Sequence, residues 1–311
     1  MTTSGERGFL LRWLFFVRER FPVGAHGLMI LFYVSANAAI AFASEGSAPA
    51  LTPRGIVGAI IILFIFFHLR VLDEIKDYGK DVIVHPERPL PRGLITITEA
   101  KRVAMFVIVA EIALGFLTSL PTLLATISVI AYSLLMYKEF FIADWLRPRL
   151  ACYAFTHTVI ACWMSLLIYS AFTGRFLWQT SGNYALFLVA NVMIFNIFEF
   201  GRKTFGREEE KELVESYSKN LGPAGAAASI FFMAAIAVMI GFRLGKVFGA
   251  GQLFFMSMGL LLALTLFSSL LYALSRNAFW AKIFRAISAL FILLFTAIIS
   301  LGLLLREVVL Q

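Results

Sequence analysis

The chain is poor in charge, in cysteine and in histidine. Only 15% of its 311 residues are Asp, Glu, Lys or Arg, while 60% are hydrophobic, and the mean hydropathy is +0.85. Soluble domains carry about 25% charged and 45–50% apolar residues, and they need polar groups to cover their surface. The shortage of charge therefore excludes a water-soluble enzyme, and the apolar content excludes a disordered chain. The two cysteines, Cys152 and Cys162, sit ten residues apart on one predicted helix. That is about 15 Å along the axis, too far for a disulfide, so redox compartment cannot be read from them. The four histidines, His26, His68, His85 and His157, show no metal-ligand spacing.

What the chain has instead is long apolar runs. A membrane-crossing helix needs about 20 mostly apolar residues, and nine segments qualify: 23–43, 55–72, 102–119, 121–137, 151–172, 183–199, 223–242, 252–274 and 283–305. The third and fourth meet at Leu120-Pro121, which reads as a tight helical hairpin. Residues 1–22 form a cytoplasmic segment in which Phe9, Leu10, Trp13, Leu14, Phe16 and Val17 alternate with Arg12, Arg18 and Arg20, the pattern of a helix lying in the interface. These arginines, and the want of a small-residue cleavage site, argue against a cleaved signal peptide.

The net charge of +8 could point to nucleic acid until it is placed on the spans. Twenty-two of the 27 Lys and Arg residues fall on the side of the N-terminus and five on the other. The positive-inside rule then puts the N-terminus in the cytoplasm and the C-terminus outside. The basic balance reports topology in a multi-pass protein, expected in the cell (inner) membrane, and no nucleic-acid partner is expected.

The acids are more lopsided still: sixteen of 19 are cytoplasmic, two (Glu45 and Glu307) are outside, and Glu111 lies within the third span. They gather in two loops, 73–98 and 199–222. After the second span, Asp73, Asp77 and Asp81 recur every four residues, a ladder on one face if the helix continues. Stacked carboxylates repel, and Mg²⁺ shared with substrate phosphates relieves that repulsion. The plain alternative is a solvated helix end neutralised by Lys76, Lys80 and Arg88. The proline-rich stretch His85-Pro86-Glu87-Arg88-Pro89-Leu90-Pro91-Arg92-Gly93 forbids regular helix, and helix restarts at a capping box, Thr96-x-x-Glu99. Arg88 and Arg92 there suit phosphate oxygens, or else anionic lipid. Asp73 and Glu199 each end the second span of a four-span set, 126 residues apart, which suggests two parallel repeats sharing one cytoplasmic mouth.

At these residues the sequence resembles the UbiA superfamily of intramembrane prenyltransferases. Members share nine spans, an N-D-x-x-D-x-x-x-D motif after the second, and an R-P-L-x-x-G loop. The motif here reads Asp73-Glu74-Ile75-Lys76-Asp77-Tyr78-Gly79-Lys80-Asp81, and the loop reads Arg88-Pro89-Leu90-Pro91-Arg92-Gly93. The resemblance implies that Asp73, Asp77 and Asp81 bind Mg²⁺ and a donor diphosphate. It also implies that Lys138, after the fourth span, helps hold that diphosphate, although an ordinary helix-end cation reads the same way. The substitutions at 73 and 74 keep oxygen ligands. The second motif departs: where the family has D-x-x-x-D or D-x-x-D-x-x-x-D, this chain has Glu199-Phe200-Gly201-Arg202-Lys203. Either Glu199 holds a second Mg²⁺ with help from Glu208, Glu209 and Glu210, or Arg202 and Lys203 replace that metal and meet phosphate directly. The second reading is preferred, because adjacent cations repel a dication. Tyr217-Ser218, further along the same loop, belongs to the variant pattern.

The expectation is an all-α membrane protein with nine transmembrane helices, two four-helix repeats around a central cavity plus a ninth helix, forming a single domain over 23–311. The resemblance implies Mg²⁺-dependent transfer of an isoprenyl group from a polyprenyl diphosphate to an unidentified small-molecule or lipid acceptor. A terpene cyclase acting on the same donor is the alternative. A transporter ranks lower, since charge crowds one face and leaves the outer half nearly bare. Within the spans, Asn37, His68, His157, Asn191 and Asn196 have either interhelical or site roles open to them. Glu111 reads as a general base or as the partner of a histidine.

Overall fold

The computed structural model describes residues 8–211 and 214–309, with side chains through residue 304. Residues 1–7 of the interfacial segment and Glu212 of the second acidic loop lie outside the described residues, and so does the Glu307 side chain. Among the described residues every regular element is a helix. A short α1 (Phe9–Arg20) leads into α2 (Val23–Ser44), α3 (Pro53–Lys76) and the short α4 (Tyr78–Val84). Then follow α5 (Ile97–Thr118), α6 (Leu120–Tyr137), a single turn α7 (Ala143–Leu146), α8 (Leu150–Thr158), α9 (Ile160–Thr173) and α10 (Gly182–Arg202). The chain ends with the short α11 (Tyr217–Asn220), then α12 (Gly222–Val247), α13 (Gln252–Ser275) and α14 (Ala278–Val309).

With α8 and α9 taken as one, eight of these helices are long and apolar enough to cross a membrane. The remaining long helix, α5, has 22 residues but carries Glu99, Lys101, Arg102 and Glu111. The chain is thus a multi-pass membrane protein whose third expected span is set apart by its charged residues. The foreseen hairpin is made by Ser119 alone, an extended residue whose hydroxyl accepts from the Thr122 amide to cap α6. One expected span is interrupted. Between Tyr153 and Thr158 the hydroxyls of Thr156 and Thr158 bond back to carbonyls of the preceding turn, and such back-bonding bends helices. The break falls at Val159.

The two halves repeat a packing order. In the first half α3 packs on α5 and α5 on α6, and in the second α10 packs on α12 and α12 on α13. Helix α9 joins the halves by touching α2, α3 and α6, and α14 closes the bundle against α2, α10 and α13. Small residues permit the closest approaches: a Cβ at Gly58 would lie 2.5 Å from the Ala171 methyl, joining α3 to α9. Antiparallel connections bring the C-terminal ends of α3 and α10 to one face of the bundle. On the opposite face Glu45, at the end of α2, accepts from Tyr169 (2.6 Å) and pairs with Arg175 (2.9 Å).

Polar groups within the bundle bond across helices, because hydrocarbon supplies no water to satisfy them. Tyr33 of α2, Ser165 of α9, and Tyr184 and Asn191 of α10 form one network with Asn37, and Asn196 donates to Thr158 (2.6 Å). The asparagines therefore serve helix association. Glu111 is likewise paired: His68 of α3 meets it through Nδ1 at 2.7 Å and meets Ser133 of α6 through Nε2 at 3.0 Å, with all three buried. This lock ties α3, α5 and α6 together beneath the first motif. Replacing His68 with Leu strands the Glu111 carboxyl, and we expect a loss of about 3 kcal/mol. The double variant His68→Leu/Glu111→Leu should recover most of it. Thermal unfolding of both variants in detergent tests this; a double variant as unstable as the single one contradicts the pairing.

Candidate active site

The first motif straddles a helix junction. Helix α3 ends at Lys76, and Asp77 serves as the end of α3 and the start of α4. Gly79 in the first turn of α4 weakens helix continuity. The i to i+4 amide bonds still run across the junction, from Asp77 N–H to the Asp73 carbonyl and from Asp81 N–H to the Asp77 carbonyl at 2.9 Å each. The three carboxylates therefore stay neighbours but differ in surroundings. Asp73 is half exposed and lies 3.3 Å from Lys76 Nζ. The Asp77 carboxylate has no hydrogen-bond or ion-pair partner among the described residues. Burial pushes it above the usual carboxylate range and Asp73 and Asp81 push further, against the pull of Lys76 and Lys80. Asp81 is buried and held by both of its oxygens on Arg88, at 2.7 Å each. Glu74 turns the other way, into an ion pair with Arg20 of α1 at 2.6 Å.

The proline-rich loop folds over α1. Leu90 is buried with Trp13, Phe16, Val71 and Ile95, and Gly93 closes the turn at φ +75°, with its amide donating to the Leu90 carbonyl. A side chain at Gly93 would be strained there. Arg92 is spent on Glu19 (2.7 Å) and on the Glu87 carbonyl (2.8 Å). The capping box forms as expected, with Thr96 and Glu99 bonding reciprocally. Of the two readings of this stretch, the neutralised one holds for Arg88, which lies on Asp81, while Arg92 lies on Glu19 of α1. Loop closure brings these opposite charges into contact and neutralises them.

The second motif ends α10. Glu199 lies between Arg202 Nε at 2.5 Å and Lys203 Nζ at 2.8 Å. Gly201 lets this end press on α14, where a Cβ would collide with that of Ser288. The glutamates expected to support Glu199 are engaged elsewhere. Glu208 caps the Ala278 amide (2.9 Å), Glu209 forks onto Arg285 (2.6 and 2.7 Å), and Glu210 binds Ser216 and Ser218. Tyr217 stacks on Phe200 at 3.8 Å and donates to the Leu150 carbonyl. The Tyr217-Ser218 pair therefore folds this loop back on the end of α10.

The two motifs meet at Tyr153 of α8. Lys76 donates to its hydroxyl at 3.0 Å and lies 5.6 Å from its ring, and Lys203 lies 6.0 Å from the same ring. Beside them Glu139 accepts from Tyr153 (3.4 Å) and Arg147 (2.8 Å). That contact holds the Arg147 guanidinium above its usual range. Glu139, Phe140 and Phe141 run at φ 48°, 55° and 58°, a left-handed turn costing about 1–2 kcal/mol per residue and typical of functional sites. Lys138 leads into this turn, 5.4 Å from the Tyr137 ring and unpaired with any acid among the described residues. Arg70, Asp73 and Arg202 lie in electrostatic range of one another. Asp77 and Arg202 are both exposed at this end of the bundle.

Beneath the mouth the wall is aromatic. Phe66 of α3 stacks on Phe195 of α10 at 6.3 Å, and Tyr33 meets both edge-on. Phe66 and Phe195 precede Asp73 and Glu199 by seven and four residues, about 10 and 6 Å deeper along their helices. Sequence reasoning missed Arg70, Lys76, Glu139 and Tyr153 as site residues. Lys76 lay inside the motif and was read as a counter-ion. Tyr153 carried no signal, since a lone tyrosine in a span is ordinary packing material. Among the described residues no three acids, histidines or cysteines form a ready-made metal cage.

An all-helical membrane bundle with acidic and basic motif ends converging at one mouth defines the class, and comparison supplies the family. The model of the UbiA prenyltransferase family matches residues 29–295, and the chain belongs to that family. A structure of digeranylgeranylglyceryl phosphate synthase is similar at a TM-score of 0.66 with 17% identity, covering 95% of this chain and 98% of its own. A UbiA homologue from Aeropyrum pernix K1 gives a TM-score of 0.65 with 18% identity, over 91% and 98% of the two chains. A UbiA homologue from Archaeoglobus fulgidus bound to DMAPP and Mg²⁺ gives 0.51 with 16% identity, over 92% and 99%. At these identities the likeness establishes the fold. No functionally curated protein matches the chain by sequence.

The Glu209–Arg285 fork pins the second loop to α14, and Arg285 holds the Glu209 carboxyl below its ordinary value. A carboxyl depressed on folding stabilises above its unfolded pKa and loses that contribution as pH falls through the folded value. Glu209→Gln should therefore cost about 1 kcal/mol at pH 7, with the gap to wild type closing as pH drops below the carboxylate range. Unfolding midpoints across that range check the sign.

Proposed function

We propose that the chain transfers an isoprenyl group from an isoprenyl diphosphate to an acceptor within the membrane, with Mg²⁺ as cofactor. One observation carries the reading: the unpaired carboxylate of Asp77, its neighbour Asp73 and the cations Lys76, Arg202 and Lys203 gather around Tyr153 above an aromatic wall. Membership of a prenyltransferase family supports it, as does the Archaeoglobus fulgidus homologue bound to DMAPP and Mg²⁺. By the positive-inside rule the mouth faces the cytoplasm, the N-terminus lies there and the C-terminus lies outside.

The donor set fits the metal. Mg²⁺ keeps several waters and binds through one or two carboxylates plus substrate phosphate; Asp77 has no partner among the described residues, and Asp73 is half exposed with Lys76 alone beside it at 3.3 Å. When bound, the ion offsets charge growing on the departing diphosphate. Asp81 supports Arg88 and keeps the loop closed, so its role is one step removed. Glu199 is matched by two cations, which favours Arg202 and Lys203 as the groups meeting phosphate over a second metal there. Lys138 and Arg70 add positive charge to the same mouth.

The diphosphate leaves with the electron pair of its bond to the allylic carbon. The carbon becomes cation-like, and the faces of Phe66 and Phe195 shield it. An acceptor nucleophile then bonds to that carbon and releases a proton, whereas a cyclase would let the chain capture its own cation. Purified protein incubated with Mg²⁺ and labelled donors of several lengths, with and without a lipid extract, separates the two by product mass. Asp77→Asn should lower Mg²⁺-dependent diphosphate release by at least about a hundredfold, the scale of losing a preorganised electrostatic contact. Full turnover by that variant would sink the metal assignment, and unchanged donor under every condition would sink the enzyme reading.

A further inference from the structure

A groove of about 870 Å³ runs between α1 and α5, a size that holds an amphiphilic ligand. Its walls are apolar: Leu10, Trp13 and Leu14 of α1 face Val103 and Phe106 of α5, with Phe67 of α3 alongside. Leu10 and Phe106 are among the most exposed apolar side chains, at 77% and 74%. The polar lining comes from Glu99 and Arg102. Glu99 is already matched by Arg12 (2.5 and 2.9 Å), but Arg102 is exposed and pairs with no acid among the described residues. Trp13, which lines the groove, has its indole N–H buried without an acceptor. The site thus offers an apolar slot and one uncompensated cation.

We propose that this groove binds one anionic phospholipid from the surrounding leaflet. An acyl chain lies between Leu14 and Phe106, and the phosphodiester meets Arg102. A single guanidinium matches the single charge of a phosphodiester. A prenyl diphosphate needs several cations or a metal, and the groove has no free carboxylate to hold one. The lipid also bears on the motif. Helix α1 is bolted to the first motif and its loop by Arg20–Glu74, Arg92–Glu19 and Arg12–Glu99, so seating α1 steadies the loop over the mouth.

The test is native mass spectrometry of the protein released from nanodiscs of mixed phosphatidylcholine and phosphatidylglycerol. Wild type should retain one phosphatidylglycerol in preference to phosphatidylcholine. Arg102→Gln should lower that preference about fivefold, the effect of one interfacial cation, while Arg102→Lys keeps most of it. Equal retention of the two lipids by wild type, or an unchanged preference in Arg102→Gln, overturns the proposal. So does displacement of the bound lipid by farnesyl diphosphate at equal concentration, which marks a diphosphate site instead.

Discussion

Hydrocarbon cannot hydrate a charge, and each ionisable group in this bundle must find a partner or reach the edge. The interior obeys this constraint through locks between helices. His68 with Glu111 and Ser133 joins three helices of the first half, and Asn37 with Ser165, Tyr184 and Asn191 joins the halves. At the motif face the same requirement assembles ion pairs: Asp81 with Arg88, Glu74 with Arg20, Glu199 with Arg202 and Lys203. Against that background an unpartnered group stands out. Asp77 keeps an unmatched carboxylate where the helix turns, and it does so at the mouth of the bundle.

Local backbone features put these groups in place. The junction at Asp77 ends one helix and starts the next, and the break at Val159 shapes the helix carrying Tyr153. The left-handed turn Glu139–Phe141 is costly, and Arg147 on Glu139 and Tyr132 against Phe140 hold it. That turn delivers Glu139 to Tyr153, where Lys76 and Lys203 also arrive. The aromatic contact of Phe66 with Phe195 joins the same two helices lower down. The two motif ends are therefore joined through charge near the mouth and through rings below it.

Much of this was legible in the chain. Apolar run length marked the long helices, because crossing thickness is a length constraint that one segment meets alone. The capping box at Thr96 and Glu99 and the turn at Gly93 were readable for the same reason, being local in sequence. The asymmetry of charge marked one face, and the acids after the second and sixth spans marked the two motif ends. The carboxylate ladder keeps its i to i+4 bonds across Asp77, but spacing does not show that its rungs meet different partners, Lys76 for Asp73 and Arg88 for Asp81.

The sequence by itself determined the membrane, the number of long helices, the charged face and the residue types gathered there. The tertiary structure decided which charges cancel and which remain. Arg88 and Arg92 suit phosphate by residue type, and loop closure lays them on Asp81 and Glu19; the glutamates after Gly206 meet the Ala278 amide, Arg285 and Ser218. Tyr153, silent in the sequence, proved to be where the motifs join. Helical periodicity gives the direction of a side chain from its own helix. Its partner depends on which helix lies opposite, and that is set by packing of the whole bundle.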